Sequence, residues 1–210
     1  MDVAILLYEG FDELDAVGPY EVFRTAAEFG AAVDASLQTL APTERVTASH
    51  GLRVEPDDVL IGTPDLVVVP GGGWNSVPPE VQRGGGGGAA GARSDAGART
   101  QVENGQLPDR LGTLHEGGAV VAAVCTGAML LAAAGLLDGR PATTHESAKA
   151  DLREEYGVDV RDERYVDDGT VLTAGGVTAG IDLALHLLER ECSPGVAERV
   201  SDEIEHASGY

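Results

Sequence analysis

A stretch of 19 residues without a charged side chain, Ala119–Leu137, restricts the fold of this chain more than any other feature. Its length is near that of a membrane-spanning helix. Its character changes at Cys125, however, because valine occurs only before this residue and leucine only after it. β-Branched residues favour strands, whereas leucine and alanine favour helices. The segment therefore predicts a buried strand that turns into a buried helix, in preference to a membrane span.

The same alternation of strand and helix patterns extends along the chain. Apolar runs predict strands at 3–8, 36–40, 45–54, 65–69, 119–124, 158–160 and 171–173. Helical spacing of apolar residues predicts helices at 14–27, 126–134, 178–188 and 195–207. Strands that alternate with helices imply an α/β fold with a mostly parallel central sheet and helices on both faces.

The length of 210 residues suits a single domain, 1–210. One segment, about 84–105, interrupts the pattern with five consecutive glycines and little to bury. It is not followed by Gly-Lys-Ser/Thr, so it is not a phosphate-binding P-loop. We expect a Gly-rich, mobile surface insertion there.

The charge balance is strongly acidic, with a formal net charge of −21. Such a surface repels nucleic acid phosphates and anionic lipid, which excludes both as partners in this interpretation. Lys149 is the only lysine among the 14 basic residues. A lysine-poor acidic surface favours a halophilic protein, and an acidic mesophilic protein is the alternative. The N-terminus has no basic region before its apolar run, so it is not a signal peptide and we expect a cytoplasmic location.

Cys125 is the first candidate for chemistry, because it lies between the predicted strand and helix. A nucleophile on such a turn projects above the carboxyl end of the sheet. The free N–H groups and the dipole of the helix N-terminus favour a thiolate and are expected to lower the pKa of this cysteine. The alternative is a small buried core residue. Cys192 follows a helical run and is interpreted as a bystander thiol.

Three further segments lie near predicted strand ends. Gly72 and Gly73 follow the strand at 65–69, and their N–H groups are candidates for an oxyanion site together with that of Thr126. Alternatively, the glycines form an ordinary turn. Asp15 precedes an apolar helical face and is expected to point into the same crevice, unless Asp12 or Asp15 merely caps that helix. His145 is a candidate acid–base partner of the thiolate, although an isolated histidine is more often structural.

Taken together, these segments resemble the ThiJ/PfpI superfamily. The resemblance covers nearly the whole chain except the insertion, and it rests on Phe11–Phe23, Leu66–Trp74, Ala122–Ala128, Thr143–His145 and residues 173–185. It implies a flavodoxin-like sandwich of the class I glutamine amidotransferase type. The pattern is most similar to the branch that contains isonitrile hydratase and the amidotransferase-like domains of AraC-type regulators.

The resemblance implies a role for each matching residue. Cys125 takes the place of the family's elbow cysteine, and Asp15 that of the acid that hydrogen-bonds it. Thr126 and Gly72 match the oxyanion site, and His145 lies where other branches place a histidine near the cysteine. The family usually forms homodimers, so we expect one here.

Departures from the family pattern exclude some activities. The stretch 175–181 has no His-x-Glu, which argues against glutamine amidotransfer. Thr126 replaces the histidine that follows the cysteine in PfpI-type proteases and many glyoxalase members. No helix-turn-helix is expected after the domain, and no metal-ligand spacing occurs, so neither DNA binding nor a metal or other cofactor is predicted.

The function predicted from the sequence is therefore a cofactor-independent cysteine hydratase or hydrolase acting on a small molecule. In this hypothesis Cys125 is the nucleophile, Asp15 moves the proton, and backbone N–H groups hold the developing charge. One alternative is a non-enzymatic redox sensor or protective protein that acts through oxidation of Cys125. Another is a glyoxalase or deglycase activity on small aldehydes.

Overall fold

The computed structural model describes residues 1–74 and 96–207, and within them the chain forms one seven-stranded sheet. The strands of this sheet are β1 (Asp2–Leu6), β2 (Asp34–Thr39), β5 (Asp58–Val59), β6 (Leu66–Val69), β7 (Val120–Val124), β10 (Tyr165–Asp168) and β11 (Val171–Ala174). Two small pairs lie outside it, namely β3 (Val46–Thr47) with β4 (Arg53–Val54), and β8 (Pro141–Ala142) with β9 (Asp159–Val160).

The spatial order of the large sheet is β10-β11-β7-β6-β1-β2-β5. Every neighbouring pair is parallel except β10 and β11. The carboxyl ends of β1, β6, β7 and β11 therefore meet at one edge, where ligands bind in open α/β sheets.

Helices form layers on the two faces of the sheet. Their bounds are α1 (Glu13–Glu28), α2 (Ala98–Asn104), α3 (Gln106–Glu116), α4 (Gly127–Ala133), α5 (Lys149–Tyr156), α6 (Ala179–Glu191) and α7 (Pro194–Glu203), with a short 3₁₀ helix at Glu146–Ala148. Helices α1, α6 and α7 pack against one another, and α2, α3 and α4 form a second group. The predicted α/β sandwich with a mostly parallel sheet is confirmed.

The central strands are the core of the molecule. Residues Val3–Leu6 and Leu66–Val69 are at most 1% exposed, as expected for parallel strands covered on both faces. The uncharged stretch that suggested a membrane span divides into strand β7 and helix α4. Among the helices of residues 1–74 and 96–207, none is both long and apolar enough to cross a bilayer.

Two predicted segments differ from the structure. Residues 45–54 form the hairpin β3–β4 instead of one strand, because the chain turns through Gly51, whose φ is +96°. Residues 84–95 of the expected insertion at 84–105 lie outside the described residues. From Ala98 onward it is helical, and the side chain of Ala98 is fully buried where α2 packs on α3 and α4. Residues 99–105 are half-buried or exposed, so the prediction of a surface insertion stays a prediction.

Candidate active site

Cys125 occupies a strained turn between β7 and α4. Its φ is +57°, in the left-handed region that residues other than glycine rarely adopt. Hydrogen bonds hold the turn on both sides. The backbone N–H of Cys125 donates to the carbonyls of Ala174 and Gly175 at 3.0 Å, and its carbonyl accepts from the hydroxyl of Thr144 at 2.8 Å. Such over-determined strain is typical of functional positions.

Close packing of the turn depends on a glycine. A Cβ atom at Gly127 would lie 2.3 Å from the carbonyl oxygen of Val69, at the end of strand β6. The absence of a side chain therefore lets α4 begin directly beside the neighbouring strand. This is the local reason why the cysteine lies at the carboxyl edge of the sheet.

Asp15 lies in the first turn of α1 and is fully buried. The helix cap is supplied by Asp12, whose carboxylate accepts from the N–H of Leu14 at 3.2 Å, so Asp15 is free for another role. Its Oδ2 accepts from the N–H of Gly71 at 3.0 Å. Its Oδ1 has no hydrogen-bond partner of normal geometry among the described residues. A buried carboxyl oxygen without a partner indicates a place for a ligand or a water molecule.

The thiol of Cys125 and the carboxyl group of Asp15 act on each other electrostatically. Burial, followed by the charge of Asp12, raises the pKa of Asp15 to about 7, although the hydrogen bond from Gly71 and the nearby donor groups of Cys125 and Val177 lower it. Burial, followed by the charge of Asp15, raises the pKa of Cys125. The pair therefore retains at least one proton at neutral pH.

The expected low pKa of Cys125 was wrong. The N–H of Thr126 does act on the sulfur and lowers the thiol pKa, as a helix N-terminus should. Desolvation and the neighbouring carboxyl group outweigh this contribution, because the thiol is only 6% exposed. Burial and Asp15 therefore favour the protonated thiol over the thiolate.

The predicted oxyanion donors are only partly available. The N–H of Gly72 donates to the hydroxyl oxygen of Thr126 at 2.9 Å, so it is engaged within the protein, and the oxyanion role of Gly72 stays a prediction. The N–H of Thr126 faces the sulfur. Gly73, with φ +65°, packs against Gly97 and has no acceptor for its N–H among the described residues.

His145 lies at the rim of the site without a bond to the catalytic pair. Its Nδ1 accepts from the N–H of Ser147 at 3.3 Å and lies 2.8 Å from the hydroxyl oxygen of that residue. The ring packs against Gly176, where a Cβ atom would come within 2.3 Å of Cδ2. No hydrogen bond joins His145 to Cys125 or Asp15 in the described part of the chain. Its predicted role as an acid–base partner remains a prediction.

The sequence did not single out Tyr8, which follows strand β1. Its buried hydroxyl group donates to the carbonyls of Pro70 and Gly71, at 2.7 and 3.0 Å. Burial and then the charges of Asp15 and Cys125 raise the pKa of this phenol, which keeps it a donor. An aromatic residue at a strand end next to the glycine turn was the available signal.

One group among residues 1–74 and 96–207 has a metal-like arrangement. Ligand atoms of Asp12, Glu13 and His50 lie within 4.8 Å of one another. They already bond within the protein, because Glu13 pairs with His50 Nδ1 at 2.7 Å and Asp12 caps α1. The donor set is thus used to fasten the β3–β4 hairpin to the start of α1.

Comparisons with known proteins agree with this geometry. The model of the DJ-1/PfpI family matches residues 1–81 and 95–190. Isonitrile hydratase from Pseudomonas putida is 32% identical over 209 residues, which cover 99% of this chain and 79% of that protein. The HTH-type transcriptional regulator CdhR from Pseudomonas aeruginosa is 30% identical over 208 residues, and the chain spans about half of it, 54%.

A solved structure supports the fold. The crystal structure of a ThiJ/PfpI family protein from Pseudomonas syringae matches with a TM-score of 0.80 at 23% identity. The match covers 100% of this chain and 76% of that protein. At this identity the likeness shows a common architecture and leaves the chemistry to be argued from the site.

Proposed function

This chain belongs to the DJ-1/PfpI family, and we propose that it is a cofactor-independent cysteine hydratase that acts on small isonitriles. In this proposal Cys125 is the nucleophile and Asp15 is the group that moves the proton. The similarity to isonitrile hydratase over almost the whole chain supports the substrate class. The observation that carries the proposal is the buried thiol of Cys125 next to the fully buried carboxyl group of Asp15, whose Oδ1 has no hydrogen-bond partner among the described residues.

Addition of a thiol to an isonitrile requires what this pair supplies. The sulfur forms a bond to the terminal carbon while a proton from the pair is transferred to the same carbon. The carbon–nitrogen triple bond becomes a double bond, and the product is a thioimidate on Cys125. A thiol that reacts together with its proton does not need to be a thiolate at rest, which agrees with the raised pKa of Cys125.

Water completes the reaction. Asp15, now deprotonated, accepts a proton from a water molecule that attacks the thioimidate carbon, and the unpartnered Oδ1 offers a place to bind it. Asp15 passes this proton to the nitrogen, the carbon–sulfur bond breaks, and the proton of the new hydroxyl group returns to the pair and regenerates the thiol. The products are an N-substituted formamide and the free enzyme, so the sum is the addition of one water molecule to the isonitrile.

The electrostatics of the site favour an uncharged substrate. Among residues 1–74 and 96–207, the charged groups that act most strongly on Cys125 are the carboxyl groups of Asp15 and Asp12. An anionic substrate would meet repulsion there, whereas a neutral isonitrile would not.

The test is formation of a formamide from a small alkyl isonitrile, followed by proton NMR. We expect the Cys125→Ser variant to lose turnover and the Asp15→Asn variant to lose about two to four decades of kcat, the range for a general acid–base group. Cys192→Ser is the matched control, because Cys192 is partly buried at the end of α6, and it should match the wild type.

Two outcomes would contradict the proposal. One is turnover of small aldehydes but not of isonitriles, which would indicate a glyoxalase-type activity. The other is no turnover of either class together with stoichiometric oxidation of Cys125 by peroxide, which would indicate a redox sensor. The raised thiol pKa argues against the sensor, since peroxide reacts with the thiolate.

A further inference from the structure

The loop between β11 and α6, residues 175–178, touches the catalytic pair at two points. The carbonyl of Gly175 accepts from the backbone N–H of Cys125 at 3.0 Å. The backbone N–H of Val177 lies close enough to the carboxyl group of Asp15 to lower its pKa, although no hydrogen bond of normal geometry joins the two residues. The loop is thus joined both to the nucleophile and to the proton-transfer group.

The middle of the 175–178 loop is held in an unfavourable conformation. Val177 has φ +53°, and a β-branched residue in the left-handed region is a genuine outlier. Gly176 permits close packing against His145, since any Cβ atom there would collide with the imidazole ring. A conformation of this kind persists only where neighbouring groups enforce it.

Arg164 holds the loop at both ends. Its carbonyl oxygen accepts from the N–H of Gly175 at 2.9 Å, and its Nη2 donates to the hydroxyl of Thr178 at 3.0 Å. Its Nε donates to Asp182, in the first turn of α6. Asp182 is itself fixed, because its other oxygen lies 2.8 Å from Nε2 of His206 and its side chain is only 10% exposed.

We propose that Arg164 is a positioning residue for the catalytic pair. Arg164 holds the 175–178 loop so that the backbone of Val177 faces the carboxyl group of Asp15. This inference rests on the proposed function of Cys125 and Asp15. Arg164 has no hydrogen bond to either residue, and its effect is transmitted through the loop. Its planar guanidinium group suits this role, since it can donate to Thr178 and Asp182 at once in a fixed geometry.

Loss of the guanidinium group should change the protonation of the pair. Without it Val177 can relax toward negative φ, which turns its N–H away from Asp15. That donor stabilises the ionised carboxylate, so its loss raises the pKa of Asp15. The other groups next to the carboxyl group of Asp15 stay in place and set its remaining pKa, namely Gly71, Asp12, Cys125 and the phenol of Tyr8.

The experiment compares Arg164→Gln with Arg161→Gln. Arg161 is a matched control, because its replacement removes the same charge three residues away and its side chain pairs with the exposed Asp159 in the part of the chain that the structure describes. We expect Arg164→Gln to lower kcat for isonitrile hydration about tenfold with KM nearly unchanged, and to move the acidic limb of the pH profile to higher pH. Arg161→Gln should do neither.

A measurement without substrate separates this inference from the proposed function. The rate of alkylation of Cys125 by iodoacetamide, followed against pH, reports the titration of the pair whether or not isonitriles are substrates. Its midpoint should rise in Arg164→Gln and stay unchanged in Arg161→Gln. If the wild type shows no hydration but the midpoint shifts as expected, the function is wrong and the positioning role holds.

An unchanged alkylation midpoint in folded Arg164→Gln would overturn the inference, as would equal shifts in both arginine variants. Where Arg164→Gln fails to fold, Thr178→Val replaces it. This variant removes only the hydroxyl acceptor of the Arg164 side chain, at an exposed position. It should give a smaller shift in the same direction, and no shift would again overturn the inference.

Discussion

Replacement of Asp15 by asparagine should make the protein more stable at neutral and alkaline pH, although it removes a residue of the proposed catalytic pair. Asp15 is fully buried, and its pKa rises from 3.8 to about 7 in the folded protein. Between these pH values the folded state keeps a proton that the unfolded state has lost. The free energy of unfolding therefore falls as the pH rises through this window.

The size of the effect follows from the two pKa values. Each pH unit of the window costs about 1.36 kcal/mol, so ionisation of Asp15 destabilises the folded state by about 4 kcal/mol once the pH exceeds 7. This is an upper limit, because the thiol of Cys125 shares the proton of the pair. Asparagine is neutral at all pH values and can still accept from the N–H of Gly71.

Urea unfolding of the wild type and of Asp15→Asn should therefore diverge with pH. At about pH 8 the variant should be more stable by up to about 4 kcal/mol, and below about pH 4 the two proteins should agree. Asp202→Asn, on an exposed residue of α7, controls for the loss of one negative charge. A stability difference that is constant over the whole pH range would refute the argument that the carboxyl group is protonated in the fold.

Three further predictions concern packing, charge and assembly. Gly127→Ala should destabilise the protein by about 2–4 kcal/mol in urea unfolding, since the new Cβ atom meets the backbone of β6. Gly195→Ala should stabilise it by about 0.5–1 kcal/mol, because Gly195 lies in helix α7 and has open space around it. The melting temperature should rise between about 0.1 M and 2 M KCl, because salt screens the self-repulsion of a chain with net charge −21, and a flat or falling curve would argue against a halophilic protein. Sedimentation velocity at high salt should show a homodimer, and a species of only 21.6 kDa would contradict it.

The pattern of apolar residues was sufficient to predict the central strands. Strands β6 and β7 are continuous apolar runs, and β1 and β11 each contain a single polar residue, so the signal lies within a few residues of each strand. Helix α3, Gln106–Glu116, was not predicted, because it follows the glycine-rich segment and contains a proline and a glycine. The hairpin β3–β4 was also missed, since its strands are two residues long and depend on contacts with α1.

The proximity of Cys125 and Asp15 could be predicted because both follow parallel strands whose carboxyl ends meet. The availability of the Gly72 N–H could not be predicted. The direction of that N–H, toward a substrate or toward the hydroxyl of Thr126, is set by the backbone dihedral angles of the turn. Gly72 has φ +117° there. The contribution of Tyr8 depends on a contact between residues more than sixty positions apart.

The sequence by itself determined the kind of fold and the identity of the residues at the carboxyl edge of the sheet. Strand and helix signals are local, and the parallel topology follows from their order. The tertiary structure decided the chemical state of those residues. A helix N-terminus alone would lower the pKa of Cys125, yet burial and Asp15 raise it. Desolvation and charge interactions sum over every group that folding brings close, and the distances between distant segments of a chain exist only in the folded molecule.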